Sequence, residues 1–485
     1  MTPKRKSWMV LTRSGLIVVT MIAGLSMKAA GAERMFVVRP LGDGAATGEE
    51  LQTGKIQAAI DQCFLKGGGE VQIPAGKYRT GGLRLRSGVT LHLLKGAVLC
   101  GSRNPEDYFG YRTDKLEPLD PSLITEAVWR PASDPDRDYA FMQKLGSRWN
   151  NALIRAIGAK DIAIIGDEGA IIDGSDCYDE TGEEHYRGPH CIGMWYCKGI
   201  TLRGYTVKNS ANWAHSLFFT ENISAEKVTV IAGHDGIHVS SCDNVSVRQC
   251  QFYTGDDCVA GFDNNQVIVR DCDLNTACSG LRFGGHDVLV EKCRFFGPAK
   301  YLFRGSLTKE EKRTGVASSG GKHRYNMLSA FTYYSDFTLK VRKPPGNIVI
   351  RDCTIENTDR LLHYNFSGNE TWQKNSPLRS IRFENLKASG VSMPLDVYGD
   401  TKTRVILEMV NTDFTFRTGF DKVAFIHAGN YERITLDQVI IKGTGSAPLI
   451  KTWSQGKIEL RDVSTDVPED RRVVPATEPF SSKPI

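Results

Sequence analysis

Beyond residue 32 the 485-residue chain has no apolar run long enough to cross a bilayer, so stable membrane insertion is not expected. No two of its 12 cysteines form a CxxC pair, which argues against a cysteine metal site. Its 61 lysines and arginines are scattered and accompany no nucleic-acid-binding motif, so nucleic acid is not an expected partner. No leucine consensus of a helical repeat is present either. What remains is ordinary globular material, 41% hydrophobic and 24% charged, enough for a large core.

The first 32 residues read as a secretory signal peptide. Lys4, Arg5, Lys6 and Arg13 form a positive region, residues 15–27 an apolar one, and Ala30-Gly31-Ala32 a small-residue cleavage site. The expected mature chain starts near Glu33 and is secreted or periplasmic. No cysteine at the cleavage point marks a lipoprotein. The leader also inflates the formal net charge of +5, which therefore says little about partners.

From residue 197 onward, short apolar runs recur: GITL (199–202), NISA (222–225), NVSV (244–247), QVIV (266–269), DVLV (287–290) and NIVI (347–350). The early steps are 23, 22, 22 and 21 residues, rich in β-branched residues and broken by Gly, Asn and Asp. Such a period is a solenoid signature, and propeller blades need about twice its length. The expectation is a single-stranded right-handed parallel β-helix over residues 33–467. Cys250, Cys272, Cys293 and Cys353 share one slot of the repeat and read as a ladder of small buried residues. The stretch LQTGKIQAAIDQCFL places Ile56, Ala59, Ile60 and Cys63 on one helical face, predicting a helix that caps the N-terminal end. Residues 299–346 break the period and read as an irregular insertion, and 468–485 as an extended tail.

Counting twelve residues from each anchor gives Asn212, Asp235, Asp257, Ser279 and Lys300, with Asp256 beside Asp257. Two positions further, Ala214, Ile237, Val259 and Leu281 are apolar and should point inward. The next outward column then holds His215, His238, Ala260, Arg282 and Phe303. Strand alternation places Asp235, Asp256 and Asp257 on one outward patch, with histidines and Arg282 around them. Crowded carboxylates push one another's pKa apart, supplying the acid and the base that hydrolysis of a glycosidic bond requires. Turn-forming aspartates and a calcium site are the competing explanations.

At these residues the chain resembles the polygalacturonase-like glycoside hydrolases, glycoside hydrolase family 28. The likeness starts with residues 67–102, continues through VKNSANWAH, and is sharpest in HDGIHV and TGDDC. It implies an inverting hydrolase acting on pectic polymers, with Asp256 as general acid and Asp235 and Asp257 positioning and deprotonating water. It implies no metal and no cofactor. The family's Gly-His-Gly is replaced here by Ala277-Cys278-Ser279, and its Arg-Ile-Lys by Phe303-Arg304-Gly305. His215, His238, Arg282 and Phe303 are therefore the expected substrate-binding residues, and plain polygalacturonan is not the expected best substrate. The expected partner is a polysaccharide or oligosaccharide, bound by a monomer. A β-helical lyase, which needs a basic residue at the sugar C5 proton, and a non-catalytic sugar-binding β-helix are the alternatives. Ultraviolet absorbance of products and reducing-end assays separate the three.

Overall fold

The structure is a computed structural model that describes residues 35–38, 47–108, 151–319, 321–336, 341–368, 370–419 and 423–476. The predicted signal peptide lies outside them. The chain winds as a right-handed parallel β-helix, each coil contributing short strands that pair in parallel with the coils before and after. One coil contributes His215–Phe218, Glu221–Glu226 and Thr229–Ala232. The next contributes Ile237–Ser240, Asp243–Arg248 and Gln251–Thr254, each in register with its predecessor.

The sequence shows why the chain turns where it does. Asn222, Asn244, Gln266, Asp287 and Asn347 begin or flank the recurring apolar runs, and all sit at φ between 52° and 59°. Among L-residues, Asn and Asp tolerate this left-handed conformation best, because their short polar side chains bond locally. The corners also bond to each other along the axis: Asn244 Nδ2 donates to Asn222 Oδ1 at 2.9 Å. Between corners, β-branched residues alternate inward and outward. The inward ones form a single core running from Val38 to Val467. The cysteine slot is part of that core: Cys250, Cys272, Cys293 and Cys353 are buried, and all twelve cysteines are free thiols. The predicted helix forms at Thr53–Leu65 and turns Ile56, Ile60 and Cys63 onto the first coils.

Three expectations change. Ile200 pairs with Ile223, a step of 23, whereas His215 pairs with Ile237, a step of 22. The extra residue of the earlier coil is absorbed in the bend between Val207 and His215, so Trp213, not Asn212, lies opposite Asp235. The insertion is shorter than expected. Its strand Met327–Tyr333 is a regular coil element paired with Ser279–Glu291 on one side and Thr358–Asn365 on the other. Before it stands a helix, Lys309–Thr314, closed by a capping box between Thr308 and Glu311 and by Gly315 in the left-handed conformation. The supposed tail begins as one more rung, with Val473–Pro475 pairing to Ile450–Thr452. Val473 and Val474 suit a strand, and the open end of a solenoid offers unpaired backbone to pair with.

Candidate active site

Asp235 and Asp257 sit at equivalent positions of adjacent coils, two residues before the paired Ile237 and Val259. Both are buried, whereas the Asp256 side chain keeps 17% of its surface exposed. The glycines around them answer to a neighbouring segment. A side chain at Gly255 would strike the carbonyl of Leu302, and one at Gly233 would strike Arg304. The inserted segment therefore packs directly over the two turns that present the aspartates.

Burial first, then repulsion from Asp256 and Asp235, pushes the Asp257 carboxyl up to about 8, with Arg282 opposing. Asp235 is raised well above the usual carboxylate range, by burial and by Asp256. Near neutral pH Asp235 and Asp257 therefore hold protons that isolated aspartates would release. Asp257 Oδ1 accepts the Ser279 amide at 2.9 Å, while its Oδ2 faces the Arg282 guanidinium at 3.7 Å.

His238 lies beside Asp235, with Nδ1 2.9 Å from Oδ2 and Nε2 3.2 Å from the Ser240 hydroxyl. Burial and Arg282 hold its pKa down at about 3, so the ring is neutral. It stacks flat on Trp213, centroids 3.7 Å apart at 4°. A neutral imidazole clamped in this way orients the Asp235 carboxyl without adding charge to it.

Of the expected substrate-binding residues, His238 and Arg282 reach the trio and the other two do not occupy their expected places. His215 takes the inward column opposite Ile237 because of the extra residue in the preceding bend. There its Nε2 meets the Tyr205 hydroxyl at 3.0 Å and its Nδ1 the Gly236 carbonyl at 2.9 Å. It is a satisfied core histidine. Phe303 is not in the Arg282 column, where the next residue is Thr332. It stands on the inserted segment, with the Arg324 guanidinium 3.9 Å from its ring centroid.

Counting the period could not reveal the cations that arrive from outside it. Arg187, on the excursion after Tyr178–Glu183, brings Nη2 to 4.0 Å from Asp256 Oδ2 and Nη1 to 3.3 Å from Asn212 Oδ1. Glu183, on the same excursion, is raised to about 7 by burial and accepts from Asn212 at 3.0 Å. Arg324 donates through Nε to the Ala277 carbonyl at 2.9 Å, next to Cys278. The only hint of these arrivals was the charged, aperiodic character of the stretches that carry them. Arg304, on the inserted segment, is buried and bonds Asp176 Oδ1 at 2.5 Å.

Asp256, Asp257 and Cys278 bring two carboxylate oxygens and a thiol within 4.8 Å, which is donor spacing for a cation. Arg187 and Arg282 already place two positive charges against the same carboxylates. That charge balance favours acid–base work over metal binding at the pair.

The sequence profile of glycosyl hydrolases family 28 matches residues 141–286, which contain all three aspartates, His238 and Arg282. A polygalacturonase of Ralstonia solanacearum is 38% identical over 303 residues, 57% of this chain and 54% of that protein. A probable polygalacturonase of Vitis vinifera is 28% identical over 250 residues, 47% of this chain and 46% of that protein. The chain thus spans about half the length of these relatives. In structure it is similar to the family 28 exopolygalacturonase of Yersinia enterocolitica, at TM-score 0.58 and 17% identity, over 90% of this chain and 78% of that one. It is also similar to a hyperthermoactive exopolygalacturonase of Thermotoga maritima, at TM-score 0.54 and 15% identity, over 89% and 92%. At these identities the structural likeness establishes the fold.

Proposed function

We propose that this chain is a glycosyl hydrolase of family 28, whose profile residues 141–286 match, and that it hydrolyses glycosidic bonds in a pectic or related acidic polysaccharide after export. The observation that carries the reading is the meeting of three carboxylates from adjacent coils, two of them too buried and too crowded to ionise normally.

Asp256, the partly exposed member of the trio, is the general acid. Its side chain is the one in the trio that solvent reaches, and protonation of a leaving oxygen requires contact with substrate. Asp235 and Asp257 hold the water, Asp235 oriented by His238 and Asp257 by the Ser279 amide, and whichever of the two has released its own proton takes one from that water. Arg187 offsets the charge left on Asp256 once its proton has gone. Water attacking from the face opposite the leaving group inverts the anomeric centre. With His215 inward and Phe303 displaced, Arg282 is the cation best placed for a uronate carboxylate, and Arg187 and Arg324 restore positive charge that the substituted family motif lacks.

The test is release of reducing ends from polygalacturonan, rhamnogalacturonan and methyl-esterified pectin fragments, with the product anomer followed by NMR. Hydrolysis of at least one substrate with inversion, lost in Asp256→Asn, is expected. Unsaturated products, retention, or full activity of Asp256→Asn would refute it.

A further inference from the structure

A hairpin outside the repeat delivers one side chain to Asp256. Residues 178–187 double back on themselves, with antiparallel bridges from Arg187 to Tyr178 and to Glu183. Glu184 and His185 turn the corner at φ 51° and 60°. The Arg187 side chain is 7% exposed and has two hydrogen-bonded ties. On the solvent side its Nε and Nη2 meet the half-exposed Glu184 carboxylate at 3.2 and 3.1 Å. On the buried side its Nη1 donates to Asn212 Oδ1 at 3.3 Å. Nη2 also stands 4.0 Å from Asp256 Oδ2, outside hydrogen-bond range but close enough for its charge to act.

Asn212 does not hold the arginine unaided. A primary amide presents oxygen on one side and nitrogen on the other, and exchanging them would set N–H groups against the guanidinium. Glu183 decides the orientation. Its Oε2 accepts Asn212 Nδ2 at 3.0 Å, which leaves Oδ1 for the arginine and for the Trp213 amide at 3.0 Å. Trp213 stacks in turn on His238, the partner of Asp235. One buried amide thus registers the hairpin against Asp256 through Arg187 and against Asp235 through Trp213 and His238. Burial holds the Glu183 carboxyl up to about 7, with Arg187 and Asn212 opposing. Below neutrality, replacing it therefore removes an acceptor rather than a charge.

We infer that Glu183 and Asn212 are positioning residues for the reaction: they act through Arg187, holding its charge where Asp256 becomes a carboxylate as it gives up its proton. The inference rests on the hydrolase reading and adds how the hairpin serves it. The other charged or titratable groups facing Asp256 are Asp235, Asp257, His238, Cys278 and Arg282, all on the coils. Those facing Arg187, besides Glu183 and Glu184, are Asp235, Tyr186, His234 and Lys312. Glu183 excepted, none of these groups hydrogen-bonds Asn212 among the described residues.

The experiment compares pH profiles of hydrolysis by the full chain and four variants. The alkaline limb of kcat marks loss of the proton that Asp256 donates. Without a cation 4.0 Å away that proton is lost at higher pH, and its transfer leaves an unopposed charge. Arg187→Met should raise the limb by about one pH unit or more and lower kcat roughly 10–100-fold, with KM little changed. Asn212→Leu and Glu183→Leu should move both readouts in the same directions, kcat by roughly three- to tenfold, the worth of one hydrogen bond. Glu183→Gln should keep both near the wild type, because its Oε1 still accepts from Asn212. A second readout does not depend on turnover: carbon-13 NMR of aspartate-labelled protein, with Asp256 identified by its absence from Asp256→Asn. The Asp256 titration midpoint should rise in Arg187→Met, Asn212→Leu and Glu183→Leu and hold in Glu183→Gln. Thermal unfolding checks each variant, and the Glu183 side chain, 23% exposed, carries the test in its two variants should Asn212→Leu not fold.

A limb and an Asp256 midpoint left in place by the leucine variants would overturn the inference. So would equal losses in Glu183→Gln and Glu183→Leu. Failure of the hydrolase reading looks different: the wild type would release no reducing ends from any substrate, while the Asp256 midpoint still moved with Asn212 and Glu183.

Discussion

Asp257 should make the protein less stable as pH rises, and Asp257→Asn should remove that loss. In the unfolded chain an aspartate titrates near 3.9, whereas burial and two neighbouring carboxylates raise the folded carboxyl to about 8. Between those values the unfolded chain has released a proton that the native state still holds. Stability is therefore fullest below about pH 4 and falls with rising pH until the native group also ionises near pH 8. One unit is worth about 1.4 kcal/mol, so the ceiling at pH 7 is roughly 4 kcal/mol. Asp235 and Asp256 share the repulsion, and the substitution forfeits the attraction to Arg282, so about 2 kcal/mol should remain. An asparagine Oδ1 can still accept the Ser279 amide. Urea unfolding of wild type and variant at pH 4, 7 and 9 is the assay. The variant should match the wild type near pH 4, exceed it by about 2 kcal/mol at pH 7 and by somewhat more at pH 9, while losing hydrolysis. A variant destabilised equally at all three pH values would refute the reasoning, because it would mean the carboxyl is ionised in the native protein.

Two further outcomes follow from the groove. His238→Ala removes the partner of Asp235 and the ring stacked on Trp213, and should lower kcat roughly 10–100-fold with KM little changed; His238→Asn, which can still donate near the Nδ1 position, should recover part of the loss in steady-state kinetics. Arg304→Met leaves Asp176 in a protein interior without its cation and should cost about 3–5 kcal/mol in chemical denaturation. Asp176→Asn in the same chain should return much of that stability, which a loss of packing alone would not allow.

The fold was legible because a solenoid repeats its instructions. Each corner needs a residue that accepts positive φ, and Asn, Asp or Gln stands at that point coil after coil. Each inward slot needs an apolar or small group, which the recurring runs and the cysteine ladder supply. Local rules of this kind act over a few residues and leave their marks in the chain itself. The aspartate trio was legible for the same reason, since Asp235 stands one repeat before the adjacent Asp256 and Asp257.

What the repeat could not carry was decided by the tertiary structure. One extra residue in the bend before His215 turned that histidine from the groove into the core, because a side chain's face changes with each single step of register. The return to the coil at Met327, after the period had been broken, gave the Arg282 column Thr332 in place of Phe303. Arg187, Arg324 and Trp372 arrive from segments with no period, so only the packing of those segments onto the coils brings them to the aspartates and to Arg282. Sequence spacing determines which residues stack along the axis. Which residues approach from outside it depends on burial, charge and backbone bonding between segments far apart in the chain, and these exist only once the chain has folded.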